Sequence, residues 1–239
     1  REALTKAGMD SLTVTAACAT AGIVVGVVLL TGLGLKIGNF VLFFSGGHLY
    51  LALPFVMVAS VILGMGLPTV VCYILLAVTV APPLVKLGVD PPIAAHLFIF
   101  YFGMMSMVTP PVGFAAYAGA AIAGSDPMRT AFTSWKFALA GFLLPYMFVY
   151  NSSLLMIGSS AMIAFAVVTS LIGVLCLSAS VVGYIRRPFS WMDRTMGIAA
   201  AILLIKPGLL TDAIGMALAV ALFLLQSKPP RKKSAENVH

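Results

Sequence analysis

The feature that most constrains this chain is an apolar run from Leu51 to Val85 that carries no charged residue and is interrupted midway by Gly64-Met65-Gly66-Leu67-Pro68-Thr69. Crossing a bilayer takes roughly 20 apolar residues, and the run exceeds that. The interruption breaks a helix, because glycine loosens the backbone while proline removes a donor and clashes with the preceding turn. In lipid, the backbone groups so released must be buried in protein or line a watery cavity. A second interruption, Thr109-Pro110-Pro111-Val112-Gly113, lies inside another apolar segment. Paired breaks of this kind are the best sequence pointer to a transporter's binding site.

Composition narrows the class. The 239 residues are 61% hydrophobic and 9% charged, with a mean hydropathy of +1.09, outside the range of soluble domains. The expected fold class is an all-α polytopic membrane protein, since the strands of a transmembrane barrel would be short and alternating. The net charge of +7 is no nucleic-acid signal, because most basic residues flank apolar segments and act there as topology signals. Cys18, Cys72 and Cys176 stand singly without metal-ligand spacing and read as small buried side chains. The chain opens on Arg1 rather than Met, which suggests a piece of a longer protein.

Taken in order, residues 11–35 form a first crossing and 36–50 a loop or interfacial segment, with His48 at the surface. The arms 52–63 and 69–81 each rise only ~18–20 Å, short of a ~30 Å hydrocarbon core. Residues 52–81 therefore read as a re-entrant hairpin turning at Gly64–Thr69; the alternative is one long, tilted helix with a proline kink. Pro82-Pro83 stops the second arm. Asp90-Pro91-Pro92 opens the next helix with an acidic N-cap and Pro in the first turn. Residues 92–123 then cross once, as a discontinuous helix carrying His96 as a packing residue. Residues 130–150 cross again, with Trp135 and Lys136 in the interfacial turns. A C-terminal helical extension, 158–239, comprises a crossing at 160–184, short helices at 195–205 and 209–225, and a basic tail, 228–239. Lys206 and Asp212 flank the break between the short helices and mark the watery end of a hairpin or a second polar site.

With the N-terminus cytoplasmic, every basic residue except Lys36, Lys86 and the ambiguous Lys206 falls on or near the cytoplasmic side. This requires that 52–81 return to its side of entry and that 195–225 cross an even number of times, which places both ends of the chain in the cytoplasm.

At the two breaks, freed carbonyls and the hydroxyls of Thr69, Ser106 and Thr109 offer neutral, oxygen-only ligands, suited to Na⁺ rather than to a transition metal. Half-helices starting near Pro68 and Pro110 aim positive dipole ends and unpaired N–H groups at the same depth, favouring a carboxylate. The alternative is that both breaks are packing kinks. No HExxH, paired intramembrane aspartates or Ser/His/Asp set points to an enzyme.

The stretches Gly64-Met65-Gly66-Leu67-Pro68-Thr69, Val80-Ala81-Pro82, Ala94-Ala95-His96-Leu97-Phe98-Ile99-Phe100-Tyr101-Phe102-Gly103, Thr109-Pro110-Pro111-Val112, Ala123-Gly124-Ser125-Asp126-Pro127 and Phe148-Val149-Tyr150-Asn151 together resemble the large membrane subunit of tripartite ATP-independent periplasmic (TRAP) transporters. They are most similar to the form in which small and large membrane subunits are fused. The resemblance covers about residues 1–157 and implies the second of two inverted repeats, followed by the extension. It implies a Na⁺-coupled, inner-membrane importer of a small organic acid, working by an elevator-like motion and needing no organic cofactor. Implied partners are an extracytoplasmic solute-binding protein, the first-repeat and small-subunit parts of the permease, and the lipid bilayer. Gly64, Gly66, Thr69, Ser106 and Thr109 are the implied Na⁺ ligands. Pro68, Thr69, Pro110, Pro111 and Gly113 are the implied half of the carboxylate pocket. The chain departs from the family pattern at Met107, where many relatives carry an acidic residue, which leaves coordination to backbone and hydroxyls. Rival readings are a two-component Na⁺/dicarboxylate symporter and a non-transporting structural membrane module.

Overall fold

Helices account for nearly all regular structure, as the apolar composition demands, and among the described residues there is no β-strand. The computed structural model describes residues 30–65, 67–205 and 208–227, together with 2–5, 8, 12, 15, 19, 22–23 and 26–27. Much of the expected crossing 11–35, and Cys18, Gly66, Lys206, Pro207 and the tail 228–239, lie outside the described residues. The chain divides into two compact units, Arg1–Ala138 and Leu139–His239, whereas the sequence placed its division after residue 157.

In the first unit, helix α1 spans Leu33–Phe44. Of the loop or interfacial segment expected over 36–50, the loop half is replaced by helix as far as Phe44: Lys36 and Asn39 sit within it, and the chain turns at Ser45–Gly47, where Gly46 and Gly47 supply the positive φ angles of 56° and 77°. Helices α2, Leu49–Gly64, and α3, Thr69–Thr79, follow with 16 and 11 residues, or roughly 24 and 17 Å of rise. Pro82 and Pro83 cannot donate to the carbonyls of Val78 and Thr79, and α3 stops at Thr79. They open α4, Ala81–Lys86, in whose first turn a missing N–H costs nothing. Helix α5, Pro92–Met105, is capped by Pro91 rather than by Asp90. It tightens into a 3₁₀ turn at Ser106–Val108 before α6, Phe114–Ala123, and α7, Pro127–Ala138.

The core of this unit is where α2 and α3 meet α5. Leu53, Val56, Leu76, Phe98, Ile99 and Phe102 are fully buried, and the rings of Phe98 and Phe102 stand 4.8 Å apart, edge to face. Both α2 and α4, the short helix that follows α3, meet α1. The Phe44 ring lies 6.2 Å from that of Phe55, and a methyl on Gly38 would lie 2.9 Å from Pro83 Cγ. Gly38 and Phe44 are separated by about 9 Å of helix, so the first half of α2 and the start of α4 share one neighbourhood.

The second unit begins with a 3₁₀ turn at Leu139–Leu143 and continues through α8, Leu144–Tyr150, α9, Ser160–Val182, α10, Trp191–Leu203, and α11, Leu209–Ser227. Among the described residues, three segments are long and apolar enough to cross a membrane: Pro127–Tyr150, Ser160–Val182 and Leu210–Ser227. Helix α9 is patterned inside out relative to a water-soluble helix. It buries Thr169, Ser170, Gly173, Cys176 and Ser180 and exposes Val168, Leu171 and Leu175. Lipid solvates the large side chains, while small residues let neighbouring backbones approach. Helix α10 starts four residues before the expected position, because Ser190 and Asp193 form a reciprocal capping box. Its first turn is tied to the end of α11: Gln226 Nε2 donates to Asp193 Oδ2 at 3.1 Å, and Arg187 N donates to Gln226 Oε1 at 3.3 Å.

Candidate binding site at the helix breaks

The two breaks are built alike. Pro68 cannot donate to the carbonyl four residues earlier, Gly64, and Pro110 cannot donate to Ser106. Each orphaned oxygen is recaptured by the N–H three residues on. Leu67 N donates to Gly64 O at 3.3 Å, and Thr109 N donates to Ser106 O at 3.2 Å. Both bonds are long, and each carbonyl keeps a second lone pair. Pro111 likewise removes the donor that would have closed on Met107.

These two places touch. A methyl on Gly64 would lie 2.8 Å from Ser106 Oγ, 2.9 Å from the Gly103 carbonyl oxygen and 3.0 Å from Cys72 Sγ. Gly103 is equally constrained, with Cys72 Sγ 2.8 Å from its would-be methyl. The end of α2, the first turn of α3 and the end of α5 therefore converge on one point, and two glycines permit it. Ser106 Oγ donates to Gly103 O at 2.6 Å and Thr109 Oγ1 to Met105 O at 2.7 Å, so both hydroxyl oxygens keep acceptor capacity. One turn before Gly64, the hydroxyl of Ser60 is fully buried and has no hydrogen-bond partner among the described residues.

Of the expected Na⁺ ligands, the structure brings Gly64 and Ser106 together, and Gly66 lies outside the described residues. Thr69 and Thr109 are both half-buried, and no hydrogen bond joins them among the described residues. Of the expected pocket residues, Pro68 and Pro111 are exposed, Pro110 is half-buried and Gly113 is buried. Helix α6 starts at Phe114, four residues after the expected Pro110, because the break carries two consecutive prolines. The Tyr117 hydroxyl donates to the Pro111 carbonyl, holding the first turn of α6 against the break. Neither α3 nor α6 has a side-chain cap, so the N–H groups of their first turns remain available to an anion.

Sequence reasoning passed over Cys72, Gly103 and Ser60. The signal for Cys72 and Ser60 was helical spacing: Cys72 lies three residues after Thr69, and Ser60 four before Gly64, each on one face. His96 is the packing residue it was expected to be, bonded through Nδ1 to the Tyr73 hydroxyl at 3.1 Å. Among the described residues no cluster of His, Cys, Asp or Glu could hold a metal ion.

A multi-pass helical membrane protein whose two broken segments meet at a small, oxygen-rich point has the architecture of a membrane transport component. The family described as "Tripartite ATP-independent periplasmic transporter, DctM component" matches residues 1–163, and the chain belongs to it. No curated protein and no solved structure matches the chain.

Proposed function

We propose that this chain is part of the membrane permease of a Na⁺-coupled, binding-protein-dependent importer of a small organic acid. The observation that carries the reading is the contact of Gly64 with Ser106 Oγ and the Gly103 carbonyl. It brings the backbone of the first break against oxygens at the second, and neutral oxygen donors of this kind fit a hard monovalent cation. The uncapped N-termini of α3 and α6 supply the complementary preference for a carboxylate. In this reading α2 and α3 are a re-entrant hairpin, supported by the contact of α1 with both the first half of α2 and the start of α4 that follows α3, and the broken α5–α6 segment is its partner within the second inverted repeat. An elevator-like motion of the hairpin-bearing part moves ion and acid together across the inner membrane. An extracytoplasmic binding protein, the first repeat and the small subunit complete the machine.

The test is uptake of candidate carboxylates by proteoliposomes holding the full permease, with and without a Na⁺ gradient and the binding protein. Uptake that needs both is expected. Na⁺-driven uptake without the binding protein would move the assignment to a two-component symporter, and absence of uptake with either would leave a structural module.

A further inference from the structure

The second unit holds a cavity of about 510 Å³ that the transport reading does not use. Most of its lining lies beyond residue 163, where the family match ends. Four polar side chains, Asn151, Ser153, Thr169 and Asp212, face it, and its remaining wall is apolar, with Met162, Phe165 and Met216. Asp212 is 7% exposed. One of its oxygens accepts the Gly208 N–H at 3.2 Å, and no cation pairs with it among the described residues. A carboxylate held among apolar walls in a membrane protein calls for a positive partner.

Size and shape narrow the partner. A bare ion needs little more than the ~30 Å³ share of a water molecule, whereas this volume falls in the range of organic ligands, roughly 300–1,000 Å³. The cavity begins at Asn151 and Gly208, which lie at segment ends, and reaches Thr169, about 14 Å along α9 from Ser160. Its charged group therefore lies near a membrane boundary while the pliant Met and Phe walls run inward, the layout of a headgroup and an acyl chain. A primary ammonium brings three N–H donors for the Asp212 carboxylate and the oxygens of Asn151 and Ser153. A quaternary ammonium has none and favours an aromatic cage, and Phe165 is the one aromatic residue of the lining. An anionic headgroup without an amine would meet Asp212 as a like charge.

We propose that this cavity is a binding site for an aminophospholipid, with the headgroup ammonium on Asp212. The test is native mass spectrometry of the purified full chain, incubated separately with dioleoyl phosphatidylethanolamine, phosphatidylcholine and phosphatidylglycerol. Retention of the ethanolamine lipid at least fivefold above the other two is expected. Asp212→Asn is expected to reduce it to their level and Asp212→Glu to keep most of it, with unchanged thermal midpoints confirming that both variants fold. Equal retention of the three lipids, or an insensitive Asp212→Asn, would overturn the site. Soluble glycerophosphoethanolamine retained as well as the lipid would reassign it to free amines. Retention appearing only in Lys206→Ala would show that the chain's own lysine fills it, and would equally overturn the proposal.

Discussion

Gly64 and Ser106 each stand four residues before a proline, and their contact makes single atoms decisive at this point. Gly64→Ala places a methyl inside the packing distance of Ser106 Oγ and of a backbone carbonyl that cannot swing away. The expected cost is about 1–3 kcal/mol, typical of overpacking, read as a lowered thermal midpoint of the purified protein, together with loss of uptake. Ser60 predicts the opposite sign. Its buried hydroxyl has no described partner, and leaving such a group unsatisfied costs about 1–3 kcal/mol. Ser60→Ala is therefore expected to raise the thermal midpoint. If Ser60 instead ligates the coupling ion, the same variant raises the Na⁺ concentration for half-maximal uptake, so the two readings separate in one protein. The sequence made the breaks legible because Gly and Pro act locally. It did not show that Cys72 and Gly103 wedge between them, because that contact depends on how α3 and α5 cross, which no local pattern encodes.

At the scale of elements, helix lengths followed from the apolar runs, while several ends did not. Pro82 and Pro83 were read as a stop and serve also as a start, since proline terminates one helix and suits the first turn of the next equally well. The Ser190-x-x-Asp193 box was present in the sequence as a capping signature, and it brings Trp191 and Met192 into α10. The box also belongs to a buried polar clasp. Asp193 is bonded to Gln226 and to the Ser190 N–H, with Arg187 Nη2 3.7 Å from its carboxylate. Asp193→Ala removes the reciprocal half of the capping box, the acceptor of the Ser190 N–H, and leaves Gln226 and the partly buried Arg187 without their acceptor. A loss of roughly 3 kcal/mol is expected, the low end for breaking a buried pair, because Arg187 is partly solvated. Limited proteolysis should detect it as faster cleavage between α9 and α10. The hairpin makes its own prediction. His48 and Lys86 are both exposed and flank α2 and α4. Cysteines placed there, in a background lacking Cys18, Cys72 and Cys176, are expected to react with a membrane-impermeant maleimide from the same side. Reaction from opposite sides would mean that Leu49–Lys86 crosses once, as a kinked helix, and would sink the re-entrant reading.

For the whole molecule, the sequence argument about sidedness rested on an even number of crossings after Arg187, which no composition statistic could supply. The structure provides a geometric reason within the second unit. Gln226, near the end of α11, bonds to the backbone of Arg187 and to Asp193 in the first turn of α10. The end of α11 therefore lies with the end of α9, whichever face of the membrane that is. Helix α10 has 13 residues, about 20 Å of rise, short of a full core, whereas α11 is long enough to cross. We propose that the pair works as a return stroke, α10 carrying the chain inward from the basic loop and α11 bringing it back. Arg186, Arg187 and Arg194 stand at that shared end, and from this excess of basic residues we propose that it faces the cytoplasm. A fluorescent protein fused after Ser227 is accordingly expected to fold and emit in cells, and a periplasm-dependent alkaline phosphatase fused at the same point to stay inactive. A phosphatase fused after Gly158, before α9, is expected to be active. Active phosphatase at both points would place Arg187 and Ser227 on opposite faces, which their shared contact through Gln226 forbids, so that result would refute the packing of α10 and α11 along with the topology.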